Sequence, residues 1–269
     1  MRLSEAVSYL SEAGVASARH DARELFVRIG GHSPSALLFS DPEASDVVKS
    51  AIERRGAGEP LQYIIGEVGF YRESYRVSPD CLIPRADTEL LVDYAVKNIP
   101  EGKSFLDLCT GSGCVGISTL ANTRGTRATL VDLSTGALAL ARENAERNGV
   151  IDRADFLNTD LLRDKVEGRY FALLSNPPYI AESVYEVLDA EIFHEPRMAF
   201  VGGEDGSEFY RAFVPTYKDS IEEGGFMAFE IGYDQADLLM AIAAENGLSC
   251  EILYDIENRA RVAVLKTAR

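Results

Sequence analysis

The chain is poor in the residues from which disulfide scaffolds and metal centres are built. Its 269 residues include four cysteines (Cys81, Cys109, Cys114 and Cys250), none of them in a Cys-x-x-Cys pair. Three histidines, His20, His32 and His194, form no His-Glu-x-x-His motif and recur at no other metal-ligand spacing. A disulfide framework and a bound metal are therefore not expected. No apolar run approaches the ~18 residues of a membrane span, and Met1-Arg2-Leu3-Ser4-Glu5 has no secretory character. Basic charge is also scarce: 27 Lys and Arg stand against 43 Asp and Glu, a formal charge of −16. Stable nucleic-acid binding needs a basic surface that displaces counterions from phosphate, so it is not expected either. The expectation is a cytoplasmic protein with reduced thiols and no membrane partner.

The acidic excess is uneven, with a net −3 over residues 1–84 and −13 over residues 85–269. A partner approaching the leading segment meets the weaker repulsive field. That segment reads as short helices. Leu3, Val7 and Leu10 share a face that stops at Gly14; Asp21 precedes Ala22, Leu25, Phe26 and Ile29; Asp41-Pro42 opens a third run ending near Arg54-Arg55. Phe70-Tyr71-Arg72 and Tyr75-Arg76-Val77 flank Glu73-Ser74 as a hairpin joining two modules. Beyond it, apolar strands at 105–108, 128–131, 154–157, 171–174 and 225–231 alternate with helical patterns such as 135–148 and 235–246. This is the signature of a parallel, doubly wound α/β sheet. The last two strands, 251–254 and 261–265, are too close in sequence for a crossover helix and must be antiparallel. The domains expected are residues 1–65 (helical), 66–84 (hairpin linker) and 85–269 (α/β).

Two turns at the carboxyl edge of this sheet carry the chemistry. The first is Phe105-Leu106-Asp107-Leu108-Cys109-Thr110-Gly111-Ser112-Gly113, a strand followed by a glycine turn and a helix start. Its glycines admit close backbone approach to a ligand, and the helix aims unpaired N–H groups at it. Asp132, ending the next strand, is placed to accept hydrogen bonds from ribose hydroxyls. Gly111, Gly113 and Gly116 match the dinucleotide pattern literally, but Asp107 disfavours a pyrophosphate and favours a ligand bearing an ammonium group, such as S-adenosyl-L-methionine. The second turn is Asn176-Pro177-Pro178-Tyr179, directly after the strand at 171–174. Its prolines fix the backbone and remove two donors, leaving the Asn176 side-chain oxygen and the Pro177 carbonyl as acceptors. Two fixed acceptors suit a planar NH2 group, and Tyr179 adds a face for stacking. An amide nitrogen so held can turn its lone pair toward an electrophilic methyl, a step that needs orientation more than a strong base.

These residues, with Gly58-Glu59-Pro60-Leu61-Gln62-Tyr63-Ile64-Ile65-Gly66, Leu82-Ile83-Pro84-Arg85-Ala86-Asp87-Thr88-Glu89, Glu195-Pro196-Arg197, Gly202-Gly203-Glu204-Asp205-Gly206 and Glu230-Ile231-Gly232-Tyr233, make the chain similar to the PrmC/HemK family of protein-(glutamine-N5) methyltransferases. The resemblance covers nearly the whole chain. It implies a helical module that helps recognise class I peptide chain release factors, a hairpin linker, and a Rossmann-like class I methyltransferase domain with a seven-stranded sheet. It also implies methyl transfer from S-adenosyl-L-methionine, leaving S-adenosyl-L-homocysteine, to the glutamine of a Gly-Gly-Gln motif, with no metal. Cofactor contacts would fall on Cys109, Thr110, Gly111, Ser112, Gly113, Asp132, Asp160, Leu161 and Asn176. Asn176, Pro177, Pro178 and Tyr179 would hold the glutamine, with Asn176, Pro177 and Tyr179 catalytic. Arg85, Thr88 and Glu89 would border the cofactor's amino-acid end. Cys109 replaces the family's usual glycine and is strained if that position takes a positive φ; Ala86-Asp87 replaces Pro-Glu. The alternatives are N6-adenine methylation of DNA or RNA through the same turn, a nicotinamide-dependent oxidoreductase, and a non-enzymatic binding module.

Overall fold

The computed structural model describes residues 1–188 and 190–267. Contacts divide the chain into two compact units, Met1–Glu67 with Asp189–His194, and Val68–Leu188 with Glu195–Arg269.

The first unit holds α1 (Leu3–Glu12), α2 (Ala18–Arg28), α3 (Asp46–Gly56) and the short α4 (Leu61–Ile65). Each long helix turns an apolar stripe inward: Leu3, Ala6 and Leu10 from α1, Ala22, Leu25 and Phe26 from α2, and Val48, Ala51 and Ile52 from α3 share one core. Helix α3 begins later than the Asp41-Pro42 pattern implies. Ser45 is its cap, accepting from the Val48 N–H. The Asp41 carboxylate is committed elsewhere, accepting from the Ser4 N–H at 2.8 Å and the Ser4 hydroxyl at 2.7 Å in the first turn of α1. Within this unit Arg55 and Asp21 form a buried ion pair, Nε to Oδ2 at 2.8 Å.

The hairpin comprises β1 (Glu67–Phe70) and β2 (Glu73–Arg76). Its turn is Tyr71-Arg72 rather than Glu73-Ser74. Tyr71 adopts φ 57°, and its strain is held by two carboxylates: Glu89 accepts its N–H at 2.8 Å and Asp93 its hydroxyl at 2.8 Å. Phe70 and Tyr75 belong to the core of the second unit.

The rest of that unit runs α5 (Glu89–Asn98), β3 (Ser104–Leu108), α6 (Cys114–Ala121), β4 (Arg127–Asp132), α7 (Thr135–Arg147), β5 (Ala154–Asn158), β6 (Tyr170–Ser175), α8 (Glu182–Tyr185), α9 (Glu208–Tyr217), β7 (Ile221–Glu230), α10 (Ala236–Glu245), β8 (Leu248–Tyr254) and β9 (Ala260–Thr267). The seven strands lie in the order β5-β4-β3-β6-β7-β9-β8. Strands β3 to β7 are parallel, and β9 is antiparallel to both β7 and β8. Two separate apolar clusters sandwich the sheet. One contains Leu91, Val92, Ile117, Leu130 and Ala141; the other contains Phe213, Tyr217, Phe229, Leu239 and Ile242. Strand β6 is buried along its whole length, which is why it reads as a continuous apolar run. No helix among the described residues is long and apolar enough to cross a membrane.

Removing one partner of a buried ion pair strands the other charge. Arg55→Met is therefore expected to destabilise the first unit by about 3 kcal/mol, read as a lower urea midpoint; a change below ~0.5 kcal/mol would show that Asp21 is not dependent on Arg55.

Candidate active site

The chain leaves β3 for β4 and β5 on one side, then returns to β6 and β7 on the other, so the strand order reverses between β3 and β6. Loops leaving the carboxyl ends of two such neighbouring strands diverge and open a crevice. Leu108 and Ser175 pair at that edge, and the Ser175 hydroxyl donates to the Leu108 carbonyl at 2.7 Å. The glycine turn after β3 and the Asn-Pro-Pro-Tyr turn after β6 are thus neighbours by register.

A cleft of about 980 Å³, counted out to solvent, occupies this position. Cys109, Thr110, Gly111, Ser112, Asp132, Asp160, Leu161, Asn176 and Pro178 all line it. Asp107 lies at its floor, 1% exposed. Its Oδ2 accepts from the Thr110 hydroxyl and, at 2.9 Å, from the Gly116 N–H. A Cβ on Gly116 would come within 2.8 Å of that oxygen, so the third glycine of the run serves the aspartate rather than a pyrophosphate. Oδ1 of Asp107 and Oγ of Ser112 are enclosed and have no hydrogen-bond partner. Burial pushes the Asp107 carboxyl up to about 7. Asp132 accepts from the Gly111 N–H at 2.8 Å and the Ser134 N–H at 2.9 Å, and burial raises its pKa as well. Cys109 does take a positive φ, 57°, a conformation that costs a non-glycine residue about 1–2 kcal/mol. Cys109, Cys81 and Cys114 all border the same cleft, and burial raises all three thiol pKa values, Cys81 to about 12. No disulfide forms among the described residues.

A second, smaller pocket of about 350 Å³ adjoins the first. Leu82, Arg85, Asn176 and Ala199 line both cavities; Tyr179, Ile180, Phe200 and Glu230 complete the smaller one. Asn176 therefore stands at the junction. Its Nδ2 donates to the Thr88 hydroxyl at 3.2 Å. The Tyr179 hydroxyl donates to Glu230 Oε1 at 3.2 Å. The turn is braced from behind by the Gly202–Gly206 segment: a Cβ on Gly206, which has φ 75°, would lie 2.2 Å from the Tyr179 carbonyl oxygen. Gln235 donates to that same carbonyl at 3.0 Å.

Three residues expected at the site line neither cavity: Gly113, Pro177 and Glu89. Gly113 instead caps the N-terminus of α6, with φ 83°. Pro177 is buried beneath the turn, and no hydrogen bond among the described residues ends on its carbonyl. Arg85 and Thr88 line the cleft, whereas Glu89 is drawn away to the Tyr71 N–H. The residue that sequence reasoning missed is Glu230. It ends β7 at the same carboxyl edge, 3% exposed, with Oε2 enclosed and unpartnered. Burial pushes its carboxyl up to about 7. An acid closing the apolar run Phe226–Phe229 was the available signal.

The chain is similar in sequence and fold to known proteins. Residues 2–66 match the PrmC N-terminal domain and residues 86–203 the methyltransferase small domain. A release factor glutamine methyltransferase of Geobacter sulfurreducens is 34% identical over 89% of this chain and 86% of its own length. One from Moorella thermoacetica is 34% identical over 96% and 95%. The chain belongs to the release factor glutamine methyltransferase family. Among solved structures, a ribosomal protein L11 methylase of Lactobacillus delbrueckii subsp. bulgaricus matches 69% of this chain and 81% of its own, at 20% identity and a TM-score of 0.52, a likeness of fold.

Burial raises the carboxyls of Asp107 and Glu230 from 3.8 and 4.5 to about 7. Each favours the folded state fully below its unfolded pKa and loses that contribution as pH rises toward 7. The stability advantage of Asp107→Asn over wild type, without ligand, is therefore expected to widen by at least ~1 kcal/mol between pH 4.5 and 7.5, followed by urea unfolding. A gap that does not change with pH would contradict a buried, ionising Asp107.

Proposed function

We propose that this chain transfers a methyl group from S-adenosyl-L-methionine to the side-chain amide nitrogen of the glutamine in the Gly-Gly-Gln motif of class I peptide chain release factors. The observation that carries this reading is the position of Asn176 at the junction of the two cavities. One cavity is sized for a nucleoside cofactor; the other is small, and its rim holds an acceptor and an aromatic face.

The residues present fit the cofactor. Asp107, Asp132, Asp160 and Asp80 border the large cleft against one cation, Arg85, a field that suits a sulfonium and an ammonium group and repels a pyrophosphate. Asp107 and Ser112 line this cleft, each with an enclosed polar oxygen, Oδ1 and Oγ. Cys109, Thr110, Gly111 and Ser112 would pass beneath it, Asp132 would take the ribose hydroxyls, and Asp160 and Leu161 would border the adenine, with Gly113 contributing backbone at the head of α6. When bound, S-adenosyl-L-methionine supplies an electrophilic methyl on sulfur and leaves as S-adenosyl-L-homocysteine.

The chain's own residues do the rest by orientation. The Asn176 oxygen and the Pro177 carbonyl accept the two hydrogens of the glutamine NH2, drawing the nitrogen out of conjugation. Pro178 keeps the turn rigid, and the half-buried Tyr179 covers the carboxamide plane. As the N–C bond forms, the nitrogen becomes acidic and its proton passes to solvent, so no strong base is required. The weakly charged helical unit, residues 1–65 with the hairpin at 66–84, contributes to recognition of the release factor.

The test is incubation with methyl-labelled S-adenosyl-L-methionine and purified release factor, with the label located by mass spectrometry. Label on the Gly-Gly-Gln glutamine is expected, and Asn176→Ala is expected to lower transfer on the order of 10²-fold at saturating cofactor, a loss much larger than any in cofactor affinity. Label in added DNA or RNA with none in the factor would overturn the reading.

A further inference from the structure

An Asn side chain can present either its oxygen or its NH2 to a ligand, and only the oxygen can accept a hydrogen from the substrate NH2. The orientation of Asn176 is thus a condition for the chemistry, and three side chains behind the turn bear on it. Asn176 Nδ2 donates to the Thr88 hydroxyl oxygen at 3.2 Å. Thr88 is 1% exposed, and accepting from Asn176 leaves its own hydroxyl proton to be placed. Glu230, 3% exposed, has one oxygen filled by the Tyr179 hydroxyl at 3.2 Å and the other enclosed without a donor. Thr88 is the side chain that, with Tyr179, most favours the charged form of Glu230. The Thr88 hydroxyl proton and Glu230 Oε2 are thus a donor and an acceptor without partners, close enough for Thr88 to favour the charged form of Glu230 but not hydrogen-bonded to each other in this structure.

We propose that Glu230 and Thr88 form a one-way hydrogen-bond chain that locks the Asn176 carboxamide with its oxygen toward the substrate, which makes both of them positioning residues for methyl transfer. The inference rests on the methyl-transfer reading of the site. A carboxylate can only accept, so an ionised Glu230 takes the Thr88 proton; Thr88 must then accept from Nδ2; Oδ1 is left facing the pocket. Protonated Glu230 can donate to Thr88 instead. The chain then reverses, and Asn176 is free to flip its NH2 toward the substrate NH2, an arrangement with no hydrogen bond.

The surroundings of Glu230 bear on its charge. Tyr179 and Thr88 flank it; Asp87 opposes ionisation; Arg261, paired with Asp87 at 3.0 Å, favours it. Arg85 lines the same pocket. Tyr210 donates to the Glu230 backbone carbonyl at 2.8 Å, and the Cys114 thiol lies within its field. Burial outweighs the favourable groups and brings the carboxyl to about 7, so the lock engages as pH rises through that value.

The experiment measures kcat at saturating S-adenosyl-L-methionine and release factor from pH 5.5 to 8.5, with cofactor affinity by calorimetry as the control for folding. Wild type is expected to show kcat rising through pH ~7 with a single ionisation. Thr88→Val and Glu230→Gln, both close in shape to the originals, are expected to lower kcat roughly 10- to 100-fold at pH 8 even at saturating cofactor, with the acid limb lost; Glu230→Gln, at a residue that does not line the large cleft, is expected to retain cofactor affinity. Thr88→Ser, which keeps the hydroxyl, recovers most of the loss. The double variant loses no more than the worse single one, since both act through one chain. Active wild type alongside variants with unchanged kcat, losses that add, or an acid limb that persists in both variants would overturn the chain while leaving the methyl-transfer reading standing. Absence of transfer by wild type would overturn that reading itself.

Discussion

The pairing of β3 with β6 is the constraint from which the site follows. Because the strand order reverses between them, the two turns that leave this edge cannot cover one another. One becomes a glycine-bearing floor and the other a stiff wall. The floor has a carboxylate beneath it, and the wall lacks the two N–H groups that its prolines remove. A cationic methyl donor and a carboxamide acceptor are the two ligands such an edge accommodates together. The smaller pocket opens off the larger at Asn176, so the donor and acceptor cavities meet at one side chain.

Stability is traded for this arrangement in several places. Asp107 and Glu230 are carboxyls sealed from water and held near neutrality, Cys109 sits in a backbone region meant for glycine, and three enclosed polar atoms around the site lack partners. Each costs folding free energy, and all of them cluster at the carboxyl edge that carries the two turns. The apolar clusters on both sheet faces offset the cost. Behind the wall, the Gly202–Gly206 segment packs so closely that Gly206 admits no side chain, which gives that glycine-rich run a mechanical reason.

Much of this was legible in the amino-acid order. Strand alternation, the antiparallel end and both turns follow from hydrophobic period and from proline and glycine placement, because backbone geometry at those positions is local. What was not legible depends on long-range partners. Asp41 resembles a cap for α3 but reaches back to Ser4. Glu73-Ser74 resembles a turn, yet Glu89 and Asp93 recruit Tyr71 into that role. Glu230 is an acid at a strand end like several others, and only the folded sheet reveals that Tyr179 and Thr88 converge on it. The burial of Pro177 could not be seen from sequence.

The central claim is that one rigid turn takes both hydrogens of a glutamine carboxamide. Its most direct test is a crystal structure of the protein with S-adenosyl-L-homocysteine and a Gly-Gly-Gln peptide. The account predicts the glutamine nitrogen within hydrogen-bond distance of Asn176 Oδ1 and the Pro177 carbonyl, facing the sulfur, with Asn176 Nδ2 still on Thr88. A glutamine bound elsewhere, or an Asn176 NH2 turned toward it, would contradict the account.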